Sequence, residues 1–266
     1  IRTTEIRASG SMLTVVIRKL CALFSRLIPT VIVCVAEASK QVHIALGYDA
    51  QRMVIIPNGF IVPDLNRLTE QACKLRKNCD FTEKDIVIGS VGRFNPVKDQ
   101  QSFIQAAGII LNKYPNTRIM IVGRDINATN IDLIKWMNET GNIQRFTLLG
   151  ERGDVDVCMK AMDVFCLHSR TEGFPNVLGE AMSVARASVT TDVGDAALLL
   201  GDCGTVVVNN DVRALMEGLE KMVRHSKEER EILGQKARLR IQQNFTLQQT
   251  VKQFENVYRK IFIGVK

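Results

Sequence analysis

The chain has 266 residues, 46% of them hydrophobic and 24% charged, enough apolar content to bury a substantial core, which excludes a disordered chain, a collagen-like repeat and a small disulfide scaffold. Net charge is +7, from 35 Lys and Arg against 28 Asp and Glu, and it sits at the ends. Residues 1–79 carry 11 basic and 5 acidic side chains, residues 220–266 also carry 11 and 5, and residues 80–219 carry 13 and 18. Basic ends suit an anionic membrane surface or another polyanion, and equally the solvated faces of helices. No zinc-finger spacing or aromatic RNA-binding signature points to nucleic acid. The seven cysteines are odd in number and include no C-x-x-C pair, which fits neither a disulfide framework nor a zinc site and makes a reducing cytosol the default.

In chain order, Leu13–Ile28 is apolar at helical spacing (Leu13, Val16, Leu20, Phe24, Leu27) but interrupted by Arg18, Lys19 and Arg26, so it is expected as an amphipathic helix rather than a membrane span. Val31–Val35 predicts a strand, Ser39–Leu46 a helix closed by Gly47, and Met53–Ile56 a second strand. Pro57-Asn58-Gly59 marks a turn, and Pro63 to Asn66 is the expected linker. From Asp85 onward, short β-branched runs alternate with helical patterns. Strands are predicted at Ile86–Val91, Arg118–Val122, Phe146–Leu148, Val164–Leu167, Ala187–Thr191 and Thr205–Val208, with helices at Asp99–Tyr114, Asn130–Thr140, Asp154–Ala161, Asn176–Val184 and Asp211–Arg224. This alternation predicts a doubly wound, Rossmann-like parallel sheet with strands apolar on both faces. Beyond Glu220 the chain reads as charged helix, broken at Asn244-Phe245-Thr246 with Thr246 as an N-cap.

Three segments fall at strand ends, where open α/β sheets bind ligands. Gly92-Arg93-Phe94-Asn95-Pro96-Val97-Lys98 places two cations suited to a diphosphate after the first strand of this sheet. Ser169 to Met182 runs from strand through loop to helix: Pro175 presets the helix entry, and the N–H groups of Asn176 to Leu178 would face an anion. Glu172 lies in that loop and Glu180 one turn inside the helix, a pair of acceptors suited to sugar hydroxyls; the apolar neighbours of Glu180 predict a buried setting for it. Thr191-Asp192-Val193-Gly194-Asp195 adds a glycine-bearing turn at the same edge. Asp154-Val155-Asp156 opens a helix, where capping and the helix dipole account for both acids and no metal is expected. No G-x-G-x-x-G opens the first β-α unit, which disfavours nicotinamide chemistry. His168 is left without a role, Trp136 is expected in the core rather than as a stacking platform, and Cys158 and Cys166 are expected to pack as small hydrophobes.

Taken together, Ala36-Glu37, Ile56-Pro57-Asn58-Gly59, Val91-Gly92-Arg93-Phe94 with Lys98-Asp99, Leu148-Leu149-Gly150, Glu172-Gly173-Phe174-Pro175-Asn176 with Glu180-Ala181-Met182, and Thr191-Asp192-Val193-Gly194 make the chain resemble the retaining nucleotide-sugar glycosyltransferases of family 4. The resemblance implies the two-domain α/β GT-B fold. It further implies that Arg93 and Lys98 hold the donor diphosphate, in the loop that Gly92 opens, and that Glu172 with Gly173, Phe174, Pro175 and Asn176 holds the transferred sugar. Glu180 would bind the ribose, Gly150 and Arg152 would edge the base pocket, and the Val177 and Leu178 amides would meet the phosphates. Glu172, Arg93 and Lys98 are then the catalytic candidates, with no metal and no cofactor beyond the nucleotide-diphosphate sugar, UDP-type favoured, as substrate. The implied partners are that nucleotide sugar and a glycan or lipid-linked acceptor, with an anionic membrane surface as a further partner, no nucleic acid, and a cytoplasmic or inner-face location. A non-catalytic nucleotide-sugar-binding fragment is the alternative, and a GT-B-like epimerase is disfavoured by the Glu172 and Glu180 motif.

The expected division is a partial N-terminal domain over 1–66, a nucleotide-sugar domain over 67–245 and a helix over 246–266 crossing back, with the chain starting partway through the first domain. Ser183-Val184-Ala185-Arg186-Ala187-Ser188 departs from the family, which usually has Gly and then Pro before the strand; a left-handed Ala185 would cost about 1 kcal/mol.

Overall fold

The computed structural model describes residues 12–264. Its centre is a six-stranded, all-parallel sheet in the order β5-β4-β3-β6-β7-β8, built from β3 (Ile86–Val91), β4 (Thr117–Val122), β5 (Phe146–Leu148), β6 (Val164–Leu167), β7 (Ala187–Thr191) and β8 (Gly204–Val207). β3 pairs with β4 on one side and β6 on the other, so the strand order reverses between the loops that leave β3 and β6. Such a topological switch point opens a crevice at the carboxyl ends of the strands.

Both faces of the sheet are covered, which is why central strands such as β3 and β6 read as nearly continuous apolar runs. On one face Val87, Met120, Phe165 and Leu167 pack with residues of α3 (Leu65–Asn78), α6 (Val155–Ala161), α7 (Asn176–Ser183) and α10 (Lys227–Asn244). On the other, Ile88, Ile119, Ile121, Val164 and Val189 meet α4 (Gln100–Lys113), α5 (Ile131–Glu139) and α9 (Val212–Arg224). Trp136 is half-buried against the second core and lies 5.8 Å from the Phe94 ring.

Local signals account for the helix starts. Asp211 accepts from the Arg213 and Ala214 amides at α9, and Ser226 with Glu229 forms a reciprocal capping box at α10. The break before α11 (Leu247–Gly264) is where it was expected, with Thr246 Oγ1 accepting from the Gln249 amide.

Three elements depart from expectation. The expected linker around Pro63 to Asn66 is the start of α3: Asp64 caps it through the Asn66 amide at 2.9 Å, and Leu68, Ala72 and Leu75 bury the inner face. The expected boundary at residues 66 and 67 therefore falls inside a helix. The short, apolar α8 (Ala196–Leu200) went unforeseen. And α1 (Met12–Phe24), though amphipathic as expected, buries only Ala22 within its helix; Leu13, Val16, Leu20 and Phe24 are exposed.

A small parallel pair, β1 (Ile32–Cys34) with β2 (Met53–Ile55), and α2 (Glu37–Ala45) between them lie outside the main sheet. Among the contacts that join this piece and the turn after it to the rest are the following. Asp195 caps α2 from a distance, accepting from the Glu37 and Ala38 amides at 2.6 and 2.9 Å. Phe60 exchanges backbone hydrogen bonds with Phe245 and Leu247 and packs on Phe174, which in turn meets Phe245. A β-carbon on Gly179 would lie 2.0 Å from the Phe60 ring, so only glycine lets α7 approach this aromatic trio.

Ala185 adopts φ +59, the left-handed conformation anticipated for it. The Ala185 and Arg186 amides donate to the Met182 and Ala181 carbonyls, ending α7 without glycine at a backbone cost of about 1–2 kcal/mol.

Candidate functional site

The loops after β3 and β6 meet over the switch point. Lys98 Nζ lies 2.5 Å from Glu172 Oε1, and the Ser169 hydroxyl donates to the same oxygen at 2.7 Å. Both members of the ion pair are mostly enclosed, with side-chain exposures of 20% and 15%. Arg170 adds a second tie between the loops, pairing with Asp99 at 2.8 Å while its amide donates to the Val97 carbonyl. Arg93 pairs with no carboxylate among the described residues; its carbonyl accepts from Gln100 Nε2. The structure thus brings Arg93, Lys98 and Glu172 to one edge as expected, but it gives Lys98 a carboxylate partner rather than leaving it open to phosphate.

His168 explains how the β3 loop is held. Its ring stacks on Phe103 with centroids 4.6 Å apart; Nδ1 donates to the Lys98 carbonyl and Nε2 accepts from the Ser90 hydroxyl at 2.6 Å. Burial drives its pKa down to about 4, so the ring is neutral in the folded protein. As pH falls, the unfolded chain takes up this proton first, near pH 6.5, so stability is complete above that value and declines between pH 6.5 and about 4, by on the order of 3 kcal/mol. Urea unfolding at pH 7 and pH 4.5 should show this loss, and His168→Gln should lose less over the same interval.

The β6 loop leads into α7. Pro175 occupies the N-cap position with no side-chain cap. The Leu178 amide, expected to meet phosphate, instead donates to the Pro175 carbonyl at 3.1 Å, leaving the Asn176 and Val177 amides facing outward from the helix start. Asn176 Oδ1 accepts from Asn58 Nδ2 at 2.8 Å, so the Pro57-Asn58-Gly59 turn borders this end of the site. Phe174 contributes backbone only, since its side chain is buried with Phe60 and Phe245. Thr171 Oγ1, beside Glu172, is buried without a hydrogen-bond partner.

Glu180 corrects its expected burial. The residue is exposed and its carboxylate pairs with no described side chain, yet the protein packed around it desolvates the carboxyl enough to raise its pKa. It is an open acceptor. At the far side of the crevice Gly150 has φ +65, and its carbonyl accepts from the Gly123 amide. Arg152 is gripped by Asp154 through Nε and a terminal nitrogen at 2.9 and 2.6 Å. Asp154 therefore holds Arg152 rather than capping α6, and among the described residues no three His, Cys, Asp or Glu side chains cluster as a metal site.

Gly194 and Asp195, uninformative in sequence, form the back wall. Gly194 has φ +54, and a β-carbon there would lie 2.3 Å from the Gly173 carbonyl oxygen and 2.5 Å from that of Glu172. The Asp195 amide donates to Gly173 O at 2.9 Å while its carboxylate caps α2. The Asp195 side chain thereby ties the Glu172 loop to the β1-α2-β2 piece, and Ser39 of α2 borders Gly173. Gly-Asp after a β-branched strand was the only local signal for this role.

A parallel sheet with cations, carboxylates and a helix start gathered at its switch point has the arrangement in which open α/β folds bind anionic ligands. The sequence model of the family described as glycosyl transferases group 1 matches residues 73–240, and the chain belongs to that family. It is 29% identical over 197 residues to the capsular polysaccharide biosynthesis glycosyltransferase CapM of Staphylococcus aureus, covering 73% of this chain and 50% of that protein. It is 26% identical over 247 residues to the UDP-Gal:alpha-D-GlcNAc-diphosphoundecaprenol alpha-1,3-galactosyltransferase of Escherichia coli, covering 89% and 62%. Among solved structures, Anabaena Alr3699/HepE in complex with UDP-glucose superposes with a TM-score of 0.81 at 21% identity over 93% of this chain and 68% of that one. The architecture is accordingly of the GT-B type. The chain spans about half the length of the CapM relative it matches.

Proposed function

We propose that this chain carries the donor site of a retaining glycosyltransferase that moves a hexosyl group from a nucleotide-diphosphate sugar, UDP-type favoured, to a glycan or lipid-linked acceptor in polysaccharide biosynthesis. The observation that carries the reading is the Lys98–Glu172 pair spanning the switch-point crevice beside an uncapped helix start. In this reading Arg93, Lys98 and the Asn176 and Val177 amides take up the charge of the departing diphosphate, an electrostatic task of the oxyanion-hole kind. Glu172 leaves Lys98 for the sugar hydroxyls when donor binds, and Glu180 accepts from the ribose. Gly92, Gly150 and Arg152 border the nucleotide. The bond from the anomeric carbon to the diphosphate oxygen breaks, the acceptor oxygen bonds to that carbon on the same face, and the acceptor proton passes to the departing phosphate.

The names of the relatives support the substrate class: one is a capsular polysaccharide transferase and one uses UDP-Gal and a diphosphoundecaprenol acceptor. The sugar-nucleotide unit is best drawn from α3 to Phe245, with residues before it and α11 forming an acceptor-side unit. The experiment is incubation with UDP-hexoses and a polyprenyl-diphosphate-linked sugar, with the anomeric configuration of product read by NMR. An α-linked product from an α-configured donor supports the proposal. A β-linked product overturns retention, and donor binding without transfer leaves the fragment reading in its place.

No described helix is long and apolar enough to cross a membrane. The exposed apolar side of α1, interleaved with Arg18 and Lys19, supports peripheral contact with an anionic leaflet. Sedimentation with vesicles should rise with anionic lipid content and drop when Leu20 and Phe24 are both changed to Ser; indifference to anionic lipid removes this part of the proposal.

A further inference from the structure

At the opposite edge of the main sheet, below the amino ends of β3, β6 and β7, lies a cavity of about 550 Å³. It is separated from the donor crevice by the full length of the strands. Its walls carry six basic and four acidic side chains. Several cancel locally. Arg76 is paired with Asp163 at 3.0 Å, Asp85 accepts from Thr82 and Arg118, and Arg230 donates to the Met222 and His225 carbonyls. Lys84, Lys160, Arg186 and Lys227 remain against Glu83 and Glu231.

Two of these cations are arranged unlike ordinary surface charges. Arg186 spends one terminal nitrogen on the Met162 carbonyl at 2.8 Å and more weakly on the Lys160 carbonyl at 3.4 Å. Its Nε is buried with no hydrogen-bond partner, and its other terminal nitrogen has none among the described residues. Lys160 stands next to it with no carboxylate within salt-bridge distance; enclosure and the neighbouring Arg186 and Arg238 charges hold its pKa down to about 8. Asp163 and Glu231 offset part of the Arg186 charge and Glu231 part of the Lys160 charge, and two desolvated cations side by side still favour a further anion. Arg186 also follows the left-handed Ala185, whose carbonyl packs closely against Gly234, and its bond to the Met162 carbonyl holds the guanidinium at the cavity wall.

We propose that this amino-edge cavity is a second binding site, for a small phosphate-bearing anion held by Arg186 and Lys160. A phosphate group matches an arginine with two unspent donors beside an ammonium, because the guanidinium presents paired N–H groups to two oxygens and the ammonium supplies a point charge. The volume exceeds what a free phosphate ion fills and lies within the range of small-molecule pockets, so a phosphorylated small molecule is accommodated as readily as inorganic phosphate. The site is independent of the donor crevice and of the activity proposed for it.

The test is calorimetric titration of the whole chain, at fixed ionic strength, using inorganic phosphate and a hexose 1-phosphate as separate probes. Saturable binding at one equivalent is expected, unchanged in Arg93→Ala/Lys98→Ala and weakened at least tenfold in Lys160→Gln and in Arg186→Gln, with Lys160→Arg retaining it. Tighter binding of the hexose phosphate assigns the site to a phosphorylated small molecule, and equal binding assigns it to phosphate itself. Should Arg186→Gln fail to fold, Lys160→Gln decides alone. Absence of saturable binding, or binding undiminished in Lys160→Gln, overturns the proposal.

Discussion

Changing Arg93 and Lys98 together to alanine is expected to weaken binding of a nucleoside diphosphate by about 10²- to 10⁴-fold, read by calorimetry on a variant shown by circular dichroism to be folded. Hydrogen bonds to charged groups contribute roughly 1.5–3 kcal/mol each, and two lost together give this range. The two residues act differently. Arg93 has no carboxylate partner among the described residues, so its loss removes attraction alone. Lys98 is paired with Glu172 at 2.5 Å, so its loss also leaves a largely enclosed carboxylate facing the incoming phosphates. Lys98→Ala should therefore be the more damaging single change, and pairing it with Glu172→Gln should recover part of the affinity for a diphosphate. Affinity within threefold of the parent in the double alanine variant would remove these residues from the donor site.

Gly194→Ala is expected to destabilise the fold by at least about 3 kcal/mol, an effect read from urea unfolding, and to weaken diphosphate binding in whatever fraction stays folded. Two costs combine. An alanine at φ +54 loses about 1–2 kcal/mol of backbone energy. Its β-carbon would also overlap the Gly173 and Glu172 carbonyl oxygens at 2.3 and 2.5 Å, and backbone, unlike a flexible side-chain tip, yields only by moving the loop. Moving that loop strains the Asp195 amide bond to Gly173 and the Asp195 cap on α2. Gly153→Ala is the control: a β-carbon there meets nothing within 4 Å, and the change should stay within about 0.5 kcal/mol of the parent.

The parallel sheet was legible because its strands are covered on both faces. Ile86–Val91, Phe146–Leu148, Val164–Leu167 and Ala187–Thr191 have the same limits in sequence and structure. The start of α3 was hidden because Pro63, Asp64 and Asn66 have the composition of a loop, while the apolar face that makes the segment a helix, Leu68, Ala72 and Leu75, becomes visible only against α6. The residues of the crevice were legible as motifs, since strand-loop-helix units deliver Arg93, Lys98 and Glu172 to one edge whatever the side chains do next. Their partners were not. The Lys98–Glu172 ion pair, the Arg152 grip on Asp154 and the Leu178 amide bond to Pro175 depend on side-chain rotamers and on one turn of helix geometry that spacing does not encode.

Long-range ties left the least trace. His168 clamps the Lys98 carbonyl from a strand end 70 residues away, and Asp195 caps a helix 157 and 158 residues upstream of itself. A lone histidine after a buried strand and a Gly-Asp turn carry these functions only once the topology sets β3 beside β6 and α2 beside the β7 turn. The exposed setting of Glu180 reversed its expected burial for the same kind of reason: its apolar sequence neighbours point into the core on adjacent faces of α7, leaving the carboxylate on the outer one.

The most direct test of the donor-site reading is calorimetric titration of the chain with UDP, GDP and ADP, repeated on Glu180→Ala. Saturable binding of one nucleoside diphosphate, UDP in the favoured reading, with affinity reduced at least tenfold by Glu180→Ala, is the predicted result. A folded chain that binds none of the three, or binds one with Glu180→Ala indistinguishable from the parent, would contradict the assignment of the switch-point crevice as a nucleotide-sugar site.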